Sequence, residues 1–259
     1  MTISAVTQQD SGGRLPDYIG IGTPKAGTTW WHQLILAHPE VVQNKAGLKE
    51  LNYFQHLTFR DYEPTVVNGY KAFFQEERDV ITGEWSPGYL GQPLCLESIA
   101  ELCPTSKLLL MLRNPVDRTI SHYNQILSVR MKNLGIRGQH RKHLYSVFHA
   151  YQQSMLLSLH AESLQKLLTL FPREQILILQ YEQCVREPEA QLQATYRFLD
   201  ISTDFLPTEL TRSVNKRSYI VEKPNQHERE RLMAYFRTDV ESMFRLLPEL
   251  DRSLWVDFN

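Results

Sequence analysis

Lys25 stands inside a turn bounded by glycines, Gly22-Thr23-Pro24-Lys25-Ala26-Gly27, with Thr28, Thr29 and Trp30 directly after it. Residues of this kind let a backbone curl closely around a small group. A helix opening at Thr28 or Thr29 would add unpartnered N–H groups and a positive dipole end, a setting made for phosphate. Gly22 and Gly27 keep the spacing of a nucleotide-binding P-loop, but Thr28 occupies the lysine's place in that motif. The lysine has moved to position 25, where its ammonium can meet the bridging oxygen of an anhydride instead of gripping a γ-phosphate. A second group follows the apolar run 107–112: Arg113, then Pro115, then Ser121. A P-loop NTPase would end such a strand in a metal-holding aspartate. An arginine there suits a second anion, and Arg113 with Ser121 can converge on one phosphate. The third group is Lys49-Glu50, just ahead of Tyr53 and Phe54. A carboxylate against an aromatic wall is expected to be partly desolvated and raised toward the pKa of a general base.

Alternating strands and helices must carry these groups. Strands are expected at 18–21, 41–44, 80–84, 107–112 and 175–182. Helices are expected from Thr28 or Thr29 to about His38, over 65–78 with Val66, Tyr70, Phe73 and Phe74 inward, over 94–102, from about Pro115, and over 149–170, 188–199 and 226–247. This order predicts an α/β fold of three layers, with a central, mostly parallel sheet and helices on both faces. Loops at the carboxyl ends of its strands would hold ligands. Trp85 and Tyr89, in the turn-rich stretch 83–89, would either shape an acceptor wall or cap the core, and Tyr53 and His56 are further wall candidates. Asp117 and Arg118 read as a surface pair. The stretch 128–143 is a basic connection, and Lys216 and Arg217, in the basic stretch 211–219, are placed to close over an anionic ligand.

The chain has 259 residues, 42% hydrophobic and 22% charged, with a net charge of −1. That suits a single soluble domain over 15–259, with residues 1–14 as a disordered tail. The charge balance predicts no affinity for nucleic acid, so anion sites must arise from local placement. Cys95, Cys103 and Cys184 are widely separated, odd in number and without a CxxC pair. Reduced thiols are expected, not a disulfide framework or a zinc site. The sequence contains no apolar run of membrane-spanning length and no signal-peptide pattern. A cytoplasmic protein without membrane insertion is expected.

Taken together, these segments resemble the sulfotransferases that use 3′-phosphoadenosine 5′-phosphosulfate (PAPS). Thr23-Pro24-Lys25-Ala26-Gly27-Thr28-Thr29-Trp30 resembles the family's 5′-phosphosulfate loop, and Arg113-Asn114-Pro115-Val116-Asp117-Arg118 through Ser121 its 3′-phosphate motif. Lys49-Glu50 before Tyr53-Phe54, and Gly83-Glu84-Trp85-Ser86-Pro87-Gly88-Tyr89, are similar to patterns of the heparan-sulfate-type branch, with a bacterial member expected. The resemblance runs from about residue 17 to the C-terminus. It implies a metal-independent transfer from PAPS to a hydroxyl or amine, releasing adenosine 3′,5′-bisphosphate (PAP). Ala26, Gly27, Thr28, Thr29 and Trp30 would hold the 5′-phosphate, and Lys25 would meet the bridging oxygen. Arg113 and Ser121 would bind the 3′-phosphate, with Lys216 and Arg217 closing over it. Glu50 would be the base, with His56 and then His122 as alternatives. Trp85 stands where the branch usually has a lysine, which argues against a strongly acidic polysaccharide acceptor. Other classes in view are a P-loop nucleotide kinase and a PAPS- or PAP-binding module without catalysis.

Overall fold

The computed structural model describes residues 13–57, 64–77, 79–133, 144–210 and 223–259. Among these residues, five strands form one sheet: β1 (Tyr18–Gly22), β2 (Val41–Gln43), β3 (Ile81–Trp85), β4 (Lys107–Leu112) and β5 (Ile176–Gln180). They lie in the order β2-β3-β1-β4-β5, with every pairing parallel. Parallel neighbours need crossovers. The helices that supply them are α1 (Thr28–Leu36), α2 (Pro64–Lys71), α3 (Pro93–Leu102), α4 (Pro115–Asn133), α5 (Leu144–Leu156) and α6 (Ala161–Leu170). After β5 come α7 (Tyr181–Arg186), α8 (Pro188–Leu199) and α9 (Gln226–Leu246).

The uninterrupted apolar run of β4 is explained by burial on both faces of the sheet. Ile19, Ile21, Leu108 and Leu110 pack with Ile99 of α3, Leu164 of α6 and Phe236 of α9. Tyr18, Leu109 and Met111 pack on the opposite face with Trp31 and Ile35 of α1 and Tyr196 of α8. Helices therefore cover both faces, giving the expected three-layer α/β fold. The path from β1 runs out toward β2 and β3, and the path from β4 toward β5. The connections part between β1 and β4, which opens a crevice at the carboxyl ends of those two strands.

Three expectations change in the structure. The helix expected over 65–78 stops at Lys71. Phe73 and Phe74 fall in tight turns after it, and the Phe73 carbonyl accepts from the Lys45 N–H at 2.7 Å. The helix expected over 149–170 divides into α5 and α6. The Asp239 carboxylate takes the His160 and Ala161 N–H groups at 3.0 Å each, opening a new helix. The break also sets Ser158 against the Arg118 side chain. Asp117 and Arg118 are not a surface pair: Arg118 is fully buried, and Asp117 pairs instead with Arg229. All three cysteines are buried free thiols.

Candidate active site

A cavity of about 300 Å³ opens where the loops after β1 and β3 meet α4. The loop after β1 contributes Pro24, Lys25 and Gly27, and α1 begins with Thr28, Thr29 and Trp30. Glu50, Asn52 and Gln55 come from the segment before α2, Pro87 and Gly88 follow β3, and Ser121 and Gln125 project from α4.

The loop is tied down at several points. The Thr23 N–H and hydroxyl both donate to the Met111 carbonyl of β4, at 2.9 and 3.0 Å. Lys25 has φ 70 and Gly27 has φ 93, both in the left-handed region. A lysine held there carries backbone strain of about 1–3 kcal/mol that its surroundings must impose. Gly27 has no alternative, because a Cβ would lie 2.7 Å from the Tyr181 ring. Two guanidinium groups supply the restraint. Arg118 Nη1 donates to the Pro24 carbonyl at 3.2 Å, and Arg113 Nη1 to the Lys25 carbonyl at 3.1 Å. With its carbonyls drawn outward, the loop delivers the chain to α1, whose first N–H groups have no acceptor within the helix. Ala26 is an exception among the expected anion ligands: its N–H is already bonded to the Thr23 carbonyl and it is fully buried.

Arg118 also donates from Nε to Ser158 Oγ at 2.6 Å and from Nη2 to the Ser154 carbonyl at 2.9 Å. Burial and the nearby Arg113 push it down to about 9. Arg113, at the tip of β4, stacks on the Tyr181 ring at 4.8 Å. Its Nε is buried with no hydrogen-bond partner among the described residues, a donor waiting for an acceptor. The turn after it is fixed from the far end of the chain. Asn114 donates from its N–H to Glu182 and from Nδ2 to Asp257, each at 2.9 Å. Asp257 is held in turn by Arg229. Ser121 lines the cavity, whereas Arg113 borders the loop beside it. His122, next to Ser121, is held down to about 4, first by burial and then by Arg118 and Lys25.

Glu50 faces the cavity, but the expected aromatic desolvation is not found. Its side chain is 47% exposed and takes the Lys49 ammonium at 3.0 Å. The buried carboxylate of this region is Glu84, which sequence reasoning missed. It is fully buried and receives the Leu51 N–H and the Ser86, Tyr70 and Tyr89 hydroxyls. Burial raises its pKa, opposed by these same donors. The Trp85 N–H donates to the Lys49 carbonyl at 2.8 Å, and the Asn52 N–H to Ser86 Oγ at 2.9 Å. The end of β3 therefore places the irregular segment carrying Glu50. The traces of this in the sequence are an acidic residue inside an otherwise buried strand and its place in the 83–89 pattern.

The proposed acceptor wall needs correction. Trp85 is fully buried over Gly20, where a Cβ would lie 2.1 Å from its ring, and its Nε1 donates to the Gly22 carbonyl. Tyr89 is fully buried on Glu84. The Tyr53 hydroxyl donates to the Val66 carbonyl at 2.6 Å, within an aromatic cluster with Phe54, Tyr70 and Phe73. His56 is exposed and is not part of the cavity lining, which takes Gln55 from the same turn. Lys216 and Arg217 lie outside the described residues, as do residues 1–12 of the expected tail and 134–143 of the basic connection.

Residues 15–245 match the sulfotransferase domain family model, and the chain belongs to that family. The match covers the loop after β1, the turn after β4 and the Glu50 segment. Among curated proteins, the chain is 31% identical over 114 residues to the membrane-associated sulfotransferase kil1 of Dictyostelium discoideum, covering 42% of this chain and 23% of that protein. It is 28% identical over 196 residues to heparan sulfate glucosamine 3-O-sulfotransferase 3B1 of Mus musculus, covering 73% of this chain and 47% of that protein. The chain thus spans less than half the length of these curated relatives. Among solved structures it shares its fold with a sulfotransferase from Alicyclobacillus acidocaldarius, at TM-score 0.71 and 23% identity over 94% of this chain and 99% of that one. Among the described residues no helix is long and apolar enough to cross a membrane.

Proposed function

We propose that this domain, spanning 15–259, transfers the sulfuryl group of PAPS to a hydroxyl or amine of a sugar, lipid or small-molecule acceptor and releases PAP. The observation that carries the reading is Arg113. Its guanidinium joins the tip of β4 to the Lys25 loop, and its buried Nε lacks a partner among the described residues. That arrangement suits a donor with two anionic ends, one at the α1 N-terminus and one at Arg113 with Ser121. Lys216 and Arg217 would complete the second end.

In the proposed reaction the acceptor oxygen or nitrogen bonds to sulfur while the bond from sulfur to the 5′-phosphate oxygen breaks. The electron pair stays on that phosphate oxygen, where Lys25 and the first-turn N–H groups of α1 stabilise it. Glu50 takes the acceptor proton. No step requires a metal ion. Asn52, Gln55 and Gln125 give the cavity neutral hydrogen-bonding groups, which favours an uncharged, hydroxylated acceptor over an acidic polysaccharide. Three buried free thiols fit a reducing compartment, and the cytoplasm is the proposed location.

The test is incubation with PAPS carrying a labelled sulfuryl group and a host-cell extract, followed by mass spectrometry. Labelled product from the wild type and a loss of at least about 100-fold in Lys25→Ala are expected. Absence of PAP binding by calorimetry, together with absence of labelled product, would refute the reading.

A further inference from the structure

Lys49 joins two parts of the site that the reaction above keeps separate. Its ammonium donates to Thr28 Oγ1, at the opening of α1, and to Glu50 Oε1, both at 3.0 Å. Thr28 and Glu50 both line the cavity. The Lys49 side chain is only 16% exposed, against 47% for Glu50. Its backbone is fixed by the Trp85 N–H, and Leu48 before it is held at both N–H and carbonyl by the Asn44 side chain. Reorientation is thus confined to the side chain. Burial pushes the Lys49 pKa down, while Glu50 and the buried Glu84 carboxylate pull it back up.

The Glu50 oxygen that holds the ammonium is not open to the acceptor's proton. The same ammonium sits on the residue expected to touch the donor's 5′-phosphate. We propose that Lys49 is shared between donor and base: a phosphate or sulfate seated at Thr28 draws its ammonium from Glu50, so Glu50 is free to take the acceptor's proton only once the donor is in place. The inference rests on the functional reading above and assigns Lys49 a coupling role within it. An ammonium has three donors and can pass between acceptors without leaving its place. Coupling of this kind is reciprocal, so Glu50 must weaken donor binding through Lys49.

The test is a double-mutant cycle read by calorimetry with PAP as the probe, so that acceptor and turnover play no part. Glu50→Gln frees Lys49 for the ligand and should tighten PAP binding by on the order of fivefold, the size of a partly exposed ion pair. Lys49→Met should weaken binding, and adding Glu50→Gln to Lys49→Met should give a clearly smaller gain. Plain repulsion between Glu50 and the ligand predicts the opposite, since removing Lys49 leaves that repulsion less screened and enlarges the gain. An equal or larger gain in the Lys49→Met background overturns the proposal, as does unchanged binding in Glu50→Gln. Lys49→Gln serves as the second background should the Met variant not fold. If the wild type does not bind PAP, the functional reading falls and the coupling with it. If it binds PAP but the cycle shows no coupling of the expected sign, only the role of Lys49 is lost.

Discussion

Arg118→Met separates what a buried guanidinium does for the fold from what it does for the proposed donor loop. Arg118 is fully buried and, among the described residues, its hydrogen-bond partners are uncharged: Ser158 Oγ and the Pro24 and Ser154 carbonyls. Its fall from the ordinary 12.5 to about 9 corresponds to roughly 5 kcal/mol held against the charged form. Three hydrogen bonds from a charged donor return about 1.5–3 kcal/mol each. The hydrogen bonds thus match that cost or exceed it by up to about 4 kcal/mol, and methionine fills much of the volume of the side-chain stem. Global stability should therefore fall by no more than about 4 kcal/mol. The Ser154 carbonyl keeps the Ser158 hydroxyl as a donor, but the Pro24 carbonyl loses its grip on the side of the loop facing α4. Losing one such bond should weaken PAP binding by roughly tenfold or more. Urea unfolding gives the first quantity and calorimetry the second. Unchanged PAP affinity, or destabilisation of more than about 5 kcal/mol, would show that Arg118 supports the core and not the loop.

Arg113→Ala should leave folding nearly intact and weaken PAP by about tenfold or more; binding within twofold of wild type by titration would remove Arg113 from the donor site. Gly27→Ala forces a Cβ to 2.7 Å from the Tyr181 ring at φ 93, so it should cost on the order of 1–3 kcal/mol and impair PAP binding; Gly27→Ala with Tyr181→Leu should recover part of that stability in thermal melts. His32 is buried with both ring nitrogens unpartnered among the described residues, and burial, then Lys49, holds its pKa down to about 3. Below the unfolded pKa near 6.5 only the unfolded chain takes up that proton, so stability falls as pH drops from about 6.5 toward 3, by up to roughly 1.4 kcal/mol per pH unit. His32→Phe should flatten the stability profile over that window by this amount, and denaturation curves at pH 7.5 and 5 that shift equally in both proteins would contradict the assignment.

Local pattern was enough for much of this protein. Apolar runs bounded by turn residues placed β1, β4 and β5, because a strand buried on both faces can hold little else, and turn signals beside short β-prone segments placed β2 and β3. The glycine-bounded turn before Thr28 and the arginine closing the β4 run marked the two strand tips proposed to bind anions, since backbone conformation and charge at a strand end are written in a few adjacent residues. What the sequence left open was every contact made across a crossover. Trp85 and Tyr89 read equally as wall or core, and only the parallel pairing of β3 with β1 laid Trp85 over Gly20 and turned Tyr89 onto Glu84. The break between α5 and α6 is invisible in periodicity because an aspartate far along the chain opens the second helix. Arg118 read as a surface charge because its three acceptors are uncharged groups on α5, its following turn and the β1 loop. Lys49 and Glu50 were visible as a pair, but the Thr28 hydroxyl that ties the pair to the proposed donor loop is brought to them only by the fold. Short-range spacing thus encoded the kinds of groups present, while burial and hydrogen bonding between distant segments decided which of them face the cavity.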